Sequence, residues 1–267
     1  MTDKAPSVIS RHHHGKCRQV NTGDQVGIAG FIITGGSAQV VLRALGPTLT
    51  SYGIDAALVD PTLELHDDAG AIIATNDDWQ ETQATEIEAL GLAPYNPSES
   101  AIVRTLAPGS YTAIIQGKDE ATGVGLVEAY DVSSHAGVKF GDISTRGFVD
   151  QGQNVMIGGF IASGQPGAGD AVEVVVRGLG PSLAAFGVTD TLPDPAIDLY
   201  NANGDTIASN DDWKATQQSE LEAVGLAPAD DREAALLTTL LAGPYTVVLH
   251  GKGADTGNGL IEAYSIR

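Results

Sequence analysis

Along most of the chain, apolar residues recur at every second position. Short runs at 26–34, 39–45, 62–66, 71–75, 101–106, 111–116 and 124–132 are rich in Val, Ile, Leu and Tyr, with Gly, Pro, Asn and Asp between them. Alternation of this kind predicts β-strands with one buried face. Leu63 and Leu65 fall on one face and Glu64 on the other; Ile197, Leu199 and Asp198 repeat the arrangement. One segment breaks the period. Within 81–90, Ile87 and Leu90 stand three apart among Glu, Gln and Ala, with Gly91 behind them, and 215–224 repeats this with Leu221 and Val224. That pattern predicts a short amphipathic helix closed by glycine.

The elements occur twice. From Arg43 onward, adding 134 to a residue number gives its counterpart to the end of the chain, and about half of the aligned positions are identical. Arg43-Ala-Leu-Gly-Pro47 matches Arg177-Gly-Leu-Gly-Pro181, Asp60-Pro61 matches Asp194-Pro195, and Asn76-Asp-Asp-Trp79 matches Asn210-Asp-Asp-Trp213. Gly91-Leu-Ala-Pro94 and Glu128-Ala-Tyr130 recur as Gly225-Leu-Ala-Pro228 and Glu262-Ala-Tyr264. Upstream, Gly30-Phe-Ile32 pairs with Gly159-Phe-Ile161, so the second copy carries an insertion near 165–170 whose composition predicts a longer hairpin loop. The expected fold class is all-β: two tandem β-sandwich or jelly-roll-like domains, each with one short helix, over residues 1–135 and 136–267. The junction near 133–141 is short, which predicts modules in contact rather than freely tumbling ones.

The string Ser144-Thr-Arg-Gly-Phe148, with Ile157-Gly-Gly-Phe-Ile161, Arg177 to Leu183, Asp194-Pro195 and Ile207-Ala-Ser-Asn-Asp-Asp-Trp213, resembles a repeat of secreted bacterial multidomain proteins, often near their C-termini. The hairpin from Asp194 to Asp212 also shows a looser similarity to bacterial pre-peptidase C-terminal sandwiches, some of which bind calcium. The first resemblance implies an extracellular or cell-surface, non-catalytic module, and the second raises calcium. The first copy departs from the repeat where Arg11-His-His-His-Gly-Lys-Cys17 stands in place of Thr-Arg-Gly-Phe.

Charge narrows the partners. The 34 acidic and 14 basic residues give a formal charge of −20, which repels phosphate backbones and anionic lipid. Nucleic acid is therefore not expected, and no apolar run is long enough for a membrane-spanning helix. Residues 1–11 lack the apolar core of a signal peptide. A single cysteine, Cys17, excludes an internal disulfide framework and a Cys-based zinc site.

The sharpest candidate chemistry is the acidic hairpin. It comprises Asp60, Asp67, Asp68, Asn76, Asp77 and Asp78 in the first copy, and Asp194, Asn201, Asn203, Asp205, Asn210, Asp211 and Asp212 in the second. Clustered oxygens suit calcium, and neighbouring carboxylates call for something positive between them. The same residues also build turns and cap helices, so both readings stand. Arg43 and Arg177 lie inside apolar strands and require partners, for which Glu128 and Glu262 are the candidates. Trp79 and Trp213, if exposed, would stack on sugars; if buried, they are core. His12, His13 and His14 with Cys17 could ligate a metal, but consecutive histidines diverge, and a flexible loop is the expectation. No catalytic motif stands out. Three readings follow: a calcium-stabilised binding or structural pair with a cell-surface or protein partner, a carbohydrate-binding pair directed at extracellular polysaccharide beside a secreted hydrolase, and a self-associating filament or surface-layer subunit.

Overall fold

A computed structural model describes residues 12–133, 139–152, 154–162 and 171–266. The chain is all-β, with sixteen strands and two short α-helices among the described residues. The first copy contains β1 (His12–Val20), β2 (Gly27–Thr34), β3 (Ala38–Leu45), β4 (Pro61–His66), β5 (Ile72–Asn76), α1 (Ala84–Ala89), β6 (Ser100–Leu106), β7 (Gly109–Gly117) and β8 (Gly123–Asp131). The second repeats it as β9 (Lys139–Val149), β10 (Met156–Ala162), β11 (Ala171–Leu179), β12 (Pro195–Tyr200), β13 (Thr206–Asn210), α2 (Gln218–Ala223), β14 (Ala234–Leu241), β15 (Gly243–Gly251) and β16 (Gly257–Ser265).

Each copy is a pair of four-stranded antiparallel sheets. In the first the orders are β1-β8-β3-β6 and β2-β7-β4-β5, and in the second β9-β16-β11-β14 and β10-β15-β12-β13. Alternation decides which side chains meet between the sheets: Ala29, Phe31 and Ile33 of β2 are buried, as are Leu63 and Leu65 of β4 and Ile197 and Leu199 of β12. They form one apolar core per copy. On the outer face of β3 and β6, a smaller cluster of Val41, Trp79, Ile87, Ala101 and Val103 packs the helical crossing down, and Val175, Trp213, Leu221 and Ala235 repeat it.

The copies join edge to edge. β9 pairs with β16 of its own copy and, on its other side, with β2, so that β14-β11-β16-β9-β2-β7-β4-β5 is one continuous sheet. The register sets Gly30 opposite Ser144, and the Thr145 hydroxyl donates to the carbonyl of Ile28 at 2.9 Å. A Cβ on Gly30 would lie 2.4 Å from the Ser144 Oγ, which would have to rotate away, while the Ser144 Cβ and the Tyr111 carbonyl oxygen stay at ordinary contact distance. Ile143 packs against both cores. β1, the counterpart of β9, lies beside β10 on the other face of the molecule.

The helices are shorter than the pattern predicted, at six residues each. Their entry residues Gln83 and Gln217 offer no side-chain cap, because their side-chain amides are bonded to Val103 and Leu237 instead. Gly91 and Gly225 close them with φ of 66° and 72°, as a glycine C-cap requires. The segment expected to be a flexible histidine loop is strand β1, with His12, His13 and His14 set opposite Asp131, Tyr130 and Ala129 of β8. Backbone pairing overrides composition there: the register of β1 on β8 matches that of β9 on β16, so the strand survives although its sequence has diverged. The insertion expected at 165–170 lies outside the described residues.

Candidate functional site

Four polar constellations and one open groove are the candidate sites among the described residues. The first lies on paired strands. Arg43 of β3 stands opposite Glu128 of β8, and Arg177 opposite Glu262, so each guanidinium meets a carboxylate by register alone. Arg177 donates to Glu262 Oε2 through Nε at 2.8 Å and Nη2 at 2.5 Å, to the Leu226 carbonyl at 3.2 Å, and to the Tyr264 hydroxyl at 3.0 Å. Tyr264 in turn donates to Glu262 Oε1 at 2.8 Å, and the guanidinium lies 5.1 Å from its ring centre. The same set surrounds Arg43, with Glu128, the Leu92 carbonyl and Tyr130. Burial and then the Glu262 charge push the Tyr264 phenol up to about 12, so it remains a donor at neutral pH. Tyr130 is raised further for the same reasons.

The acidic hairpin divides into three groups. At its tip, Asp67 Oδ1 accepts from the amides of Ala69 and Ala71, and Asn201 Oδ1 from those of Asn203 and Asp205; these are turn-building contacts. Asp68 and Asp205 are exposed there, Asp205 Oδ2 receiving the Asn201 amide at 3.0 Å. Asn76 and Asn210 are buried and bonded to backbone: each bridges the carbonyl of Asp78 or Asp212 to the amide of Ala101 or Ala235. The third group, at the base, gathers Asp60, Asp77 and Asp78, with carboxylate oxygens within 4.8 Å of one another. The tip is about six residues of strand from the base, roughly 20 Å, so the hairpin is not one site.

The positive charge between these carboxylates is Lys118, 2.7 Å from Asp77 and 3.7 Å from Asp60. Lys252 takes the same place at 2.8 Å from Asp211 and 3.7 Å from Asp212, beside Asp194. The lysine holds Asp211 below the usual carboxylate range by hydrogen bonding, while burial, partly offset by the lysine, raises Asp60 and Asp194. Both lysines are raised in return. None of Asp77, Asp78, Asp211 or Asp212 caps the following helix, whose entry residues are Gln83 and Gln217 without a side-chain cap.

A third constellation is absent from the sequence-based expectations. Glu99 and Glu233 are fully buried carboxylates at the entrance to β6 and β14. Glu233 Oε1 accepts from the amides of Gly180 and Ser182, both at 2.9 Å, and from the Ser182 hydroxyl at 2.6 Å; Oε2 accepts the Asp230 amide at 3.3 Å. Glu99 does the same for Gly46, Thr48 and Asn96. Each fixes the Leu-Gly-Pro turn against the segment after the helix. The available signal was a glutamate repeated at the start of an apolar strand in both copies.

Trp79 and Trp213 are 5% and 4% exposed, and their indole nitrogens donate to the carbonyls of Asn96 and Asp230. Of the two readings of these tryptophans, burial removes the sugar-stacking one: they sit beneath the helical crossing, where their apolar area stabilises the fold. The fourth constellation is a histidine–carboxylate pair on the outer face of each copy, His66 with Glu64 at 2.9 Å and His250 with Asp198 at 3.3 Å. Asp198 also accepts from Ser209. The carboxylate, rather than the histidine, is in the middle, so no base is bonded to the serine as a nucleophilic triad needs.

The groove lies between the turn Pro47–Tyr52 and the segment after α1. Pro47, Thr48, Thr50, Ser51, Tyr52, Tyr95 and Asn96 line about 460 Å³ of open space. Here the aromatic rings are exposed: Tyr52 by 75% and Tyr95 by 88%.

No family model matches the chain, and no curated protein does. Among solved structures, the major capsid protein P2 of bacteriophage PM2 aligns over 96% of this chain and 97% of its own, at 10% identity and a TM-score of 0.25. The VP2 subviral particle of infectious bursal disease virus aligns over 98% and 75%, at 11% identity and a TM-score of 0.18. Scores this low carry no argument about function.

Proposed function

We propose that the chain is a non-catalytic binding and structural module of extracellular or cell-surface kind, made of two copies of one sandwich joined into a single unit. One observation carries the reading: three polar clusters retained in both copies are closed on themselves. The Arg–Glu–Tyr clusters, the buried glutamates and the bridging asparagines direct their hydrogen bonds at backbone or at one another. A catalytic group must instead be aimed at a substrate, with its pKa matched to the task. The extracellular part rests on the resemblance of the repeat.

Calorimetry of the whole chain tests the joined unit, for which one cooperative transition is expected; two well-separated transitions would overturn it. Chromogenic glycoside, ester and phosphate substrates test the absence of catalysis. Turnover abolished by Glu64→Gln or Glu128→Gln would sink that part.

A second reading, calcium at Asp60, Asp77 and Asp78, is favoured by one observation: the Oδ1 atoms of Asp60 and Asp77 are buried without a hydrogen-bond partner. These carboxylates supply the hard oxygen donors that calcium takes, but a divalent ion there must displace the Lys118 ammonium. Melting after EDTA treatment, with and without millimolar calcium and with magnesium as control, decides it. A calcium-specific rise lost in Asp77→Asn supports the ion; an unchanged melting temperature leaves the lysine as the neutralising group.

Filament growth through strand edges has less support. The outer edge of β6 is already bonded, with the Ala101 amide on Asn76 and the Val103 amide and carbonyl on Gln83; Asn210 and Gln217 cover β14 in the same way. Covered edges of this kind do not template another strand.

A further inference from the structure

We propose that the groove between Tyr52 and Tyr95 is a binding site for a neutral, pyranose-based polysaccharide chain. The inference deepens the reading of the chain as a binding module and rests on it. The ligand class follows from the lining. None of the seven residues is charged, although the protein carries −20 overall. A cationic ligand would be met by carboxylates and an anionic one repelled by the surrounding field, so the lining suits an uncharged partner. Two exposed phenol rings offer flat apolar faces, and Thr48, Thr50, Ser51 and Asn96 offer hydroxyl and amide groups. A sugar ring needs both kinds of surface, a π-face for its C–H side and hydrogen-bonding groups for its hydroxyls. The space is open rather than enclosed, which fits a chain lying across the surface better than a buried small molecule.

The backbone beneath the groove is rigid. Glu99 accepts from the amide and hydroxyl of Thr48 and from the amide of Asn96, so both walls are fixed to one buried carboxylate. The Asn96 carbonyl is held by Trp79, and its Oδ1 accepts the amide and hydroxyl of Ser98. Its amide nitrogen has no partner among the described residues and can donate to a ligand. Neither tyrosine hydroxyl has one either. A groove whose walls are set before binding loses little freedom when it is filled.

The second copy supplies an internal control. Its counterparts are Phe186, Ala229 and Asp230, which leaves a single exposed ring. Asp230 is there ion-paired with Arg232. The same fold thus lacks the second stacking face and the neutral lining.

Affinity electrophoresis of the intact chain tests the proposal, in gels containing barley β-glucan, xyloglucan, arabinoxylan, galactomannan or soluble starch, with alginate and pectin as anionic controls. At least one neutral polysaccharide is expected to retard the native protein. Tyr52→Ala and Tyr95→Ala should each weaken that retardation about tenfold, and together abolish it. Melting temperatures should not move, because both side chains are exposed, and Phe186→Ala should bind like the native protein. Retardation by none of the neutral polymers, retardation only by the anionic ones, or retardation unchanged in the double variant each overturns the proposal. The calorimetric transition and the substrate assays are unaffected by any of these results, so failure here is distinct from failure of the module reading.

Discussion

Replacing Arg177 by methionine tests whether these closed clusters hold the fold. The guanidinium makes two bonds to Glu262, one to the Leu226 carbonyl and one to the Tyr264 hydroxyl, and the two charged side chains are 16% and 14% exposed. Removing one member of a buried pair costs about 3–5 kcal/mol, because the other charge is left in a poorly solvated place. The residual exposure admits some water, which sets the expectation near the lower end, about 3 kcal/mol. For a unit of this size that lowers Tm by roughly 6–12 °C. Urea unfolding followed by Trp213 fluorescence, in a Trp79→Phe background, measures it. The cycle with Glu262→Leu separates coupling from packing. Each single variant should lose about 3 kcal/mol and the pair together about 1 kcal/mol, since an apolar replacement of both charges is close to neutral. The deficit also has a pH signature. Burial and the Glu262 charge raise Asp142 above 3.8, and Arg177 opposes them. A carboxyl raised in the folded state binds more protons there than when unfolded, so its penalty is absent in acid and grows as pH rises through the folded pKa. Without Arg177 that penalty is larger, and the variant should recover part of its loss between neutral pH and pH 4. A deficit under 1 kcal/mol, additive singles, or a deficit that grows in acid would each refute the reasoning.

Three further outcomes are expected. Glu233→Gln keeps the shape but sets an amide N–H against the Asp230 amide and weakens charge-assisted bonds to Gly180 and Ser182, and should cost about 2–3 kcal/mol in denaturant titrations; under 0.5 would mean the carboxylate is incidental. Gly180→Ala places a Cβ 2.1 Å from the Leu192 carbonyl oxygen, a backbone clash that should cost about 3 kcal/mol or more, and a normal melting temperature would show that the turn relaxes freely. Residues 139–267 expressed alone should dimerise through β9 and β10, since β9 loses its β2 partner; a monomer by light scattering at high concentration would refute the edge-to-edge account.

Much of the fold was legible because burial and period coincide. Leu63 and Leu65 alternate with Glu64, and Ile197 and Leu199 with Asp198, and the sheets bury the apolar members of each set. The Arg–Glu pairing was also within reach, since a charge in an apolar strand needs a partner and each copy offers a glutamate on one nearby strand. The acidic hairpin was not resolved by sequence. Asp60 and Asp77 come together across the β4–β5 hairpin, but Lys118 reaches them from the end of β7, and no spacing rule links 118 to 77. Trp79 follows two aspartates, and it is the crossing folded over it that decides between an exposed stacking ring and a core one. Glu99 was overlooked because burial of a carboxylate depends on amides from Gly46 and Thr48, some fifty residues away. The edge joining of the copies was illegible for a related reason. Gly30 facing Ser144 is a relation between modules, and the alternation of either strand alone fits a free edge equally well.

Comparison of the two copies separates what the fold demands from what it allows. Arg177, Glu262, Tyr264 and Glu233 repeat residues of the first copy without change, and each is locked by hydrogen bonds in both. Among the differences, four gather at the groove and its counterpart: Tyr52 against Phe186, Tyr95 against Ala229, Asn96 against Asp230, Ser98 against Arg232. The backbone under these four pairs is the same, because Glu99 and Glu233 hold it alike. One copy therefore presents two phenols and an amide on a fixed frame, and the other presents one phenyl ring and an ion pair. A duplicated frame that keeps these internal bonds while its rim varies can differ between copies in what it binds and remain the same in how it folds.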